Sequence, residues 1–434
     1  MGERTCSTSV SEPYGEVIRA GEDAKRIAQK AQIAITPAGT WLCLWTQAST
    51  EDAADQSVML SRSADSGRTW DEPFTIEGPT EGPRVASWVV PFVVPHTGRI
   101  YAFFWWCTQP DPLRDAGHIY VRYSDDAGLT WSRRYPPWPR RYPLPRPRHS
   151  GIDEEGHQIH GWNCAPPAIM PNGKVVFTFT KIRPSTITPW LQASHKLDLR
   201  IGNPADHHAC LWHTQAFLMV GHNLLGEQDP QNLDFSVLPD GATGVHMRMP
   251  KGGTCGDELR VVALATGEWL ATFRTAMGCI YFATSADCGR TWTMPQPLRF
   301  CPGGPVVPHP CAPYDLARLS DGRFILLFYN NRGDANGGAG PCDQTRVRTP
   351  LWAVVGRELT GATTRQRIVW GSPRVVIDNH IDVAHTELGE MTEVGDPHFF
   401  EWCGRCFIAY SDRRRHVLIN EVPPELVDDF GLPT

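Results

Sequence analysis

The chain reads as an all-β protein made by repeating one antiparallel unit, and three observations predict this. Its 434 residues hold 16 Trp, 39 Gly and 38 Pro with 41% hydrophobic residues, which suits many short strands joined by turns rather than long helices. Short apolar runs recur in pairs on either side of a turn that contains glycine. A single turn pattern occurs three times, as Ser63-Ala64-Asp65-Ser66-Gly67-Arg68-Thr69-Trp70, Ser124-Asp125-Asp126-Ala127-Gly128-Leu129-Thr130-Trp131 and Ser285-Ala286-Asp287-Cys288-Gly289-Arg290-Thr291-Trp292. In each copy the Asp side chain suits the backbone N–H groups of the turn, Gly takes a positive φ, and Trp supplies an apolar plug.

Taken in order, residues 16–19 form a lone strand with no partner nearby in sequence, expected to close the architecture as an outer strand of the C-terminal unit. Unit one pairs residues 32–35 with 41–45 around Ala38-Gly39, then adds 58–60 before the first repeated turn. Unit two pairs 88–94 with 100–104 around Thr97-Gly98 and adds 118–121 before the second. Residues 135–160, rich in Pro, Arg and His, read as a long loop insertion. Unit three pairs 168–170 with 175–179 around Asn172-Gly173, adds 216–220 and 235–237, and lacks the repeated turn. Unit four runs from Asp257 through Arg274 to the third turn. Unit five pairs 314–319 with 324–329 around Asp321-Gly322 and adds 351–355 and 375–377. Unit six pairs 399–402 with 407–410 around Gly404 and adds 417–419. Six units are countable, with a seventh hidden near 183–250 as the alternative.

Composition excludes several classes. With 41 Lys+Arg against 47 Asp+Glu the formal charge is -6, and no basic run suggests a nucleic-acid footprint. No apolar run reaches the ~20 residues of a membrane helix, so no membrane partner is expected. Gly2 is not followed by Ser or Thr at position 6, where Cys6 stands, which argues against myristoylation. Thirteen cysteines without framework spacing, and no Asn-x-Ser/Thr sequon, favour a reducing cytoplasm, with secretion open if a leader was removed. Cys403-Gly404-Arg405-Cys406 reads as strand residues flanking a hairpin glycine, since no second CxxC or His pair completes a metal site. No cofactor or metal is expected, and one domain spanning 1–434 is the expected organisation.

The thrice-repeated turn resembles the Asp box (BNR repeat) of the sialidase (neuraminidase) superfamily. The resemblance implies a β-propeller of four-stranded antiparallel blades around a central axis, six by the count above and seven if one is hidden. In such a ring, residues about nine or ten positions before each turn glycine converge at one mouth of the axis: Gln29 and Lys30, Ser87 and Trp88, Trp162 and Asn163, Asp257 and Glu258, Ala312 to Tyr314, and Gly395 and Asp396. That set is polar and aromatic, suited to a sugar.

Sialidases hold the substrate carboxylate with three arginines, use a tyrosine nucleophile paired with a glutamate, and use an aspartate as acid/base; the tyrosine is an exception to the two-carboxylate rule. The stretch from Gly256-Asp257-Glu258-Leu259-Arg260 to Arg274 resembles the family's glutamate strand and second arginine, which implies that Glu258 assists the chemistry and Arg274 grips a carboxylate. At the place of the first arginine this chain has Gln29-Lys30, with Arg26 slightly earlier, so the charge falls to Lys30 or Arg26. The acid/base position falls on Glu51 or Asp52. The last blade offers Gly395-Asp396-Pro397-His398 with no Tyr; Tyr314, in a strand like the family's tyrosine strand but one blade early, is the candidate nucleophile if a blade is missed. Arg357 or Arg348 is the candidate third arginine. Trp88 and Asp257 complete the expected binding set.

A second resemblance competes. Residues 85–92, 98–101, 223–230 and 235–241 are similar to propeller enzymes acting on rhamnose–glucuronate linkages, which implies lysis or hydrolysis there, with His118, His149, His157, His160, Tyr101, Arg122 and Arg148 as candidate groups. The expected function is a sialidase-like exo-glycosidase acting on the non-reducing end of an acidic oligosaccharide or polysaccharide. The alternatives are a lyase or glycosidase at a rhamnose–glucuronate linkage, or a non-catalytic glycan-binding propeller.

Overall fold

The structure is a computed structural model and describes residues 13–18, 26–50, 53–79, 85–107, 118–135, 160–182, 214–241, 243–250, 253–343, 346–359, 361, 364–379 and 393–428. It is a six-bladed β-propeller. Blade one comprises Ile27–Ile35, Trp41–Ala48, Ser57–Ser63 and Phe74–Glu77. Blade two has Val85–Val93, Ile100–Cys107 and His118–Ser124, with a single bridge from Tyr135 to Val121 beyond them. Blade three has His160–Ile169, Val175–Ile182, Thr214–Gly221 and Phe235–Leu238. Blade four follows as Asp257–Ala263, Trp269–Arg274, Tyr281–Ser285 and Gln296–Pro297, and blade five as Asp315–Arg318, Phe324–Phe328, Leu351–Glu358 and Ile368–Trp370. Blade six is Val394–Trp402, Arg405–Asp412 and His416–Val422, completed by Gly15–Ile18 from the N-terminal side. The first strands of successive blades adjoin in sequence order around the axis, the sixth meeting the first.

The closing strand is thus the one the sequence predicts, paired antiparallel through Gly15↔Ile419. The seventh blade is not formed by residues 214–238, which are the third and fourth strands of blade three; residues 183–213 and the insertion at 136–159 lie outside the described residues. First strands run longer than the apolar runs that announce them: blade one begins at Ile27 and extends nine residues, because a bulge inside it breaks the alternation.

The core lies between blades, as six apolar layers. The layer between blades six and one, for example, packs Val17, Ile33, Trp41, Phe407 and Ile419, with Trp41 edge-on to Phe400 and Phe407 at 5.1 and 5.2 Å. Each fully buried side chain of this size stabilises by roughly 1.5–3 kcal/mol. The ring has no free first or last blade because the closing strand ties its ends together.

The three repeated turns link third to fourth strands or follow the third strand. In the first, Ser63 Oγ accepts from the Gly67 N–H at 2.8 Å, and Asp65 accepts from the Thr69 N–H at 2.9 Å and the Thr69 hydroxyl at 2.7 Å. The Trp70 indole N–H donates to the Gly67 carbonyl at 3.0 Å, and the ring is half-buried rather than a full plug. Gly67 has φ +85°, and a Cβ there would lie 2.6 Å from the Trp41 ring. Cys403-Gly404 forms a two-residue hairpin turn, with φ of 50° and 74°, between the paired residues Trp402 and Arg405. No helix among the described residues is long and apolar enough to cross a membrane.

Candidate functional site at the axial mouth

Four first strands carry the same irregularity. Pairing runs to Gln29↔Thr46, Ser87↔Trp105, Asp257↔Arg274 and Gly395↔Ser411, slips, and resumes at Gln32, Val90, Arg260 and His398. The residue after each slip point, Lys30, Trp88, Glu258 and Asp396, has φ of 57°, 54°, 47° and 49°. Left-handed backbone is uncommon for such residues, and a bulge re-aims its side chain. The freed amides find acceptors on neighbouring blades: Trp88 N–H donates to Thr46 Oγ1 at 2.9 Å, Glu258 N–H to Thr180 Oγ1 at 3.1 Å, and Lys30 N–H to Asp396 Oδ2 at 3.0 Å.

The bulges deliver charge to the axis. Lys30 reaches from blade one across the ring to blade four, where its ammonium meets Glu258 Oε1 at 3.3 Å, both side chains being buried. The same ammonium lies 5.4 Å from the Trp88 ring centroid. Arg274 Nη1 stands 3.4 Å from Asp257 Oδ2 and 3.5 Å from Glu258 Oε2, and its Nη2 donates to the Cys311 carbonyl at 2.9 Å. Asp257 Oδ1 accepts from the Trp162 indole at 3.1 Å and the Thr180 hydroxyl at 2.8 Å. The buried donors Gln29 Nε2, Trp88 Nε1, Arg274 Nε and Arg348 Nε have no hydrogen-bond acceptor, and Asp257 Oδ2 and Glu258 Oε2, which face Arg274 Nη1 at ion-pair distance, accept no hydrogen bond. Unsatisfied buried groups of both kinds suit a ligand dense in hydroxyl and carboxylate oxygens.

Electrostatics separate the carboxyls. Burial would raise Glu258, but Lys30 and then Arg274 outweigh it and hold the carboxyl down at about 2. Burial pushes Asp257 above the usual carboxylate range, with Glu258 adding to the effect and Arg274 opposing it. Burial likewise raises Asp396, against the pull of Lys30.

A second ionic group flanks the mouth. Glu393 accepts from Arg348 Nη1 at 2.7 Å and from Arg414 Nε, all three side chains buried. The Arg414 carbonyl in turn accepts from the Ala28 N–H at 2.6 Å, two residues before Lys30. Beneath, His309 accepts from the Tyr329 N–H through Nδ1 at 3.2 Å and donates to the Ala312 carbonyl through Nε2 at 2.9 Å. Burial holds its ring neutral, the pKa falling to about 3. Farther along the same strands a cavity of about 590 Å³ is lined by residues such as Ala165, Val262, Leu316, His398 and Phe399.

Of the residues singled out from sequence, Lys30, Trp88, Asp257, Glu258 and Arg274 meet at this mouth. Tyr314 is wholly buried, its hydroxyl 2.9 Å from Thr272 Oγ1, and burial raises its pKa above the ordinary phenol value. In this arrangement it presents no surface to a substrate. Arg357 is exposed on the third strand of blade five, and Arg26 is exposed just before blade one, so neither joins the cluster; Arg348 does stand beside it. Asp52 and Glu51 lie outside the described residues. Of the groups suggested by the second resemblance, Arg122 pairs with Glu77 at 3.2 Å, and Tyr101 sits opposite Phe92 near the blade-two turn, at the end of the strand away from the bulge. Arg148, His149 and His157 lie outside the described residues, as do the side chains of His118 and His160. Sequence reading missed Glu393 and Arg414, whose only signal is one Glu just before the first strand of blade six and one Arg in a run of three.

No protein-family model matches the chain, and no curated protein matches it. Solved structures do. The intramolecular trans-sialidase from Ruminococcus gnavus in complex with oseltamivir carboxylate superposes with a TM-score of 0.60 at 12% identity, covering 97% of this chain and 98% of that one. The NanB sialidase from Streptococcus pneumoniae gives 0.59 at 11% identity, covering 96% and 72%. The Hadza microbial sialidase Hz136 gives 0.60 at 14% identity, covering 95% and 69%. The chain therefore has the six-bladed propeller fold of the sialidases; at these identities the likeness concerns fold.

Proposed function

We propose that the chain is a glycosidase-like propeller that takes the non-reducing end of an acidic glycan at the axial mouth. The observation that carries this reading is the meeting of Glu258 and Arg274, from paired strands of blade four, with Lys30 from the opposite side of the ring. In it, Arg274 offers its unfilled Nε and loosely held Nη1 to the sugar carboxylate, since a guanidinium suits two-point recognition. Trp88 supplies a half-buried aromatic face against which a sugar ring can pack. Glu258, kept ionised by Lys30 and Arg274, stabilises positive charge developing at the anomeric carbon. The oseltamivir carboxylate bound by the Ruminococcus gnavus relative is itself an acidic ligand, which favours the same class of partner here.

A non-catalytic glycan-binding role is favoured by a different observation: Lys30 covers one oxygen of Glu258, and Tyr314 spends its hydroxyl on Thr272. Glu258→Gln separates the two. Parent and variant are incubated with sialyllactose, 4-methylumbelliferyl sialic acid and a rhamnose-capped glucuronan while released fluorophore and ultraviolet absorbance are followed. Turnover by the parent that falls on the order of 100-fold or more in the variant supports the enzyme. Equal turnover removes the catalytic role of Glu258, and binding without turnover by the parent supports the binding protein. Absorbance rising while fluorescence stays flat points to lysis instead.

A further inference from the structure

Asp396 is the carboxylate of the axial mouth that nothing above has used. It stands on the innermost strand of blade six in the left-handed conformation, at φ 49°, matching the bulge positions of Lys30 and Glu258. Lys30 joins the two acids: its main-chain N–H donates to Asp396 Oδ2 at 3.0 Å and its ammonium to Glu258 Oε1 at 3.3 Å. Their accessibility differs. Glu258 is 3% exposed and Asp257 0%, whereas Asp396 is only half-buried, so it is the acid among these three that a bound ligand meets first.

We propose that Asp396 is the proton donor of the axial site, acting on the leaving oxygen while Glu258 remains the ionised partner. The proposal rests on the glycosidase-like reading of the site. Two acids whose surroundings push their proton affinities apart are suited to opposite roles. Burial favours the protonated form of Asp396, Glu258 and Glu393 reinforcing this and Lys30 and Arg414 opposing it, while Lys30 and Arg274 keep Glu258 charged. Tyr329, which also senses Asp396, is held neutral by burial.

The step balances with water as the only co-reactant. The bond from the anomeric carbon to the glycosidic oxygen breaks, its electron pair leaves with the oxygen, and that oxygen takes the Asp396 proton. Water then bonds to the anomeric carbon and returns a proton to the Asp396 carboxylate. Glu258 contributes charge throughout.

The test compares leaving groups in Asp396→Asn, in which an amide oxygen still accepts from the Lys30 N–H. Rates are measured on sialyllactose and on 4-methylumbelliferyl sialic acid, together with 4-methylumbelliferyl glucuronide and a glucuronate-ended disaccharide. A sugar alcohol needs protonation to leave, whereas the aryl alcohol needs little. The expected result is a fall on the order of 100-fold or more on the sugar-leaving substrate and under about tenfold on its aryl counterpart. In the parent, the rate falls as pH rises through the raised Asp396 value, because the ionised acid has no proton to give; the Asn variant lacks that limb. Asp396→Glu, which keeps an acid, retains both the limb and the tolerance of poor leaving groups, and serves if the Asn protein does not fold. Equal losses on both substrate types, or no loss, overturn the proposal and leave the function standing. A parent inert on every probe removes the reading and the proposal together.

Discussion

Lys30 holds the mouth of the axis together, bridging blade one to blade four through Glu258 and to blade six through its own N–H. Deleting one partner of a buried ion pair leaves the other uncompensated, at a typical cost of about 3–5 kcal/mol. Because Arg274 also faces Glu258, Lys30→Met is expected to lose somewhat less, on the order of 2–3 kcal/mol by urea unfolding; a loss under about 0.5 kcal/mol would show the contact to be incidental. His309 makes a different forecast. Its folded pKa of about 3 lies below the ordinary 6.5, so between those values the unfolded chain binds the extra proton. Stability is then fully present above pH 6.5 and drops by about 1.4 kcal/mol per unit as pH falls below it. Between pH 6.5 and 4.5, before most carboxyls titrate, the stability of His309→Gln should fall less steeply than the parent's by that slope. Parallel curves would contradict the buried neutral ring. Nothing in Pro308-His309-Pro310 announces this role, since both ring nitrogens are satisfied by backbone groups of residues 312 and 329.

The repeated turns were legible because their chemistry is local: Ser, Asp, Gly and Thr bond one another within seven residues. The bulges that build the site were not. Lys, Trp and Glu have no intrinsic leaning toward positive φ, and what holds them there is an acceptor on the adjacent blade, which no local pattern reveals; Asp tolerates that region more readily. Counting back from the turn glycine nonetheless pointed to Lys30, Trp88, Glu258 and Asp396, because in these four blades the bulge falls a similar number of residues before that glycine. Two glycines separate backbone strain from crowding. Gly173, at φ +76°, has open space where a Cβ would go, while Gly67, at φ +85°, faces the Trp41 ring at 2.6 Å. Gly173→Ala should cost roughly 1–2 kcal/mol from the left-handed backbone alone, and Gly67→Ala distinctly more. Equal costs in denaturant titrations would show that the Trp41 contact relaxes freely.

The ring as a whole was countable from the sequence, since turn glycines fall at one place in each unit and the orphan strand at residues 16–19 needed a partner. Its closure is tight: a Cβ on Gly15 would lie 2.0 Å from the Gly67 carbonyl oxygen, so the last blade is fitted against the first repeated turn. The flanking triad of Arg348, Glu393 and Arg414 was only partly legible, because it is assembled from blades five and six by long-range contacts rather than by a motif. What this architecture is for comes down to whether the axial mouth receives a carboxylated sugar through Arg274. Calorimetric titration of the parent and of Arg274→Met with sialyllactose and a glucuronate-ended oligosaccharide, each beside its neutral counterpart, measures this directly. We expect an acid-ended glycan to bind the parent more tightly than its neutral form. The folded variant should lose roughly ten- to a hundredfold of that affinity, in line with the ~1.5–3 kcal/mol of a charge-assisted contact. Equal binding of acidic and neutral sugars, or an undiminished affinity in the variant, would contradict it.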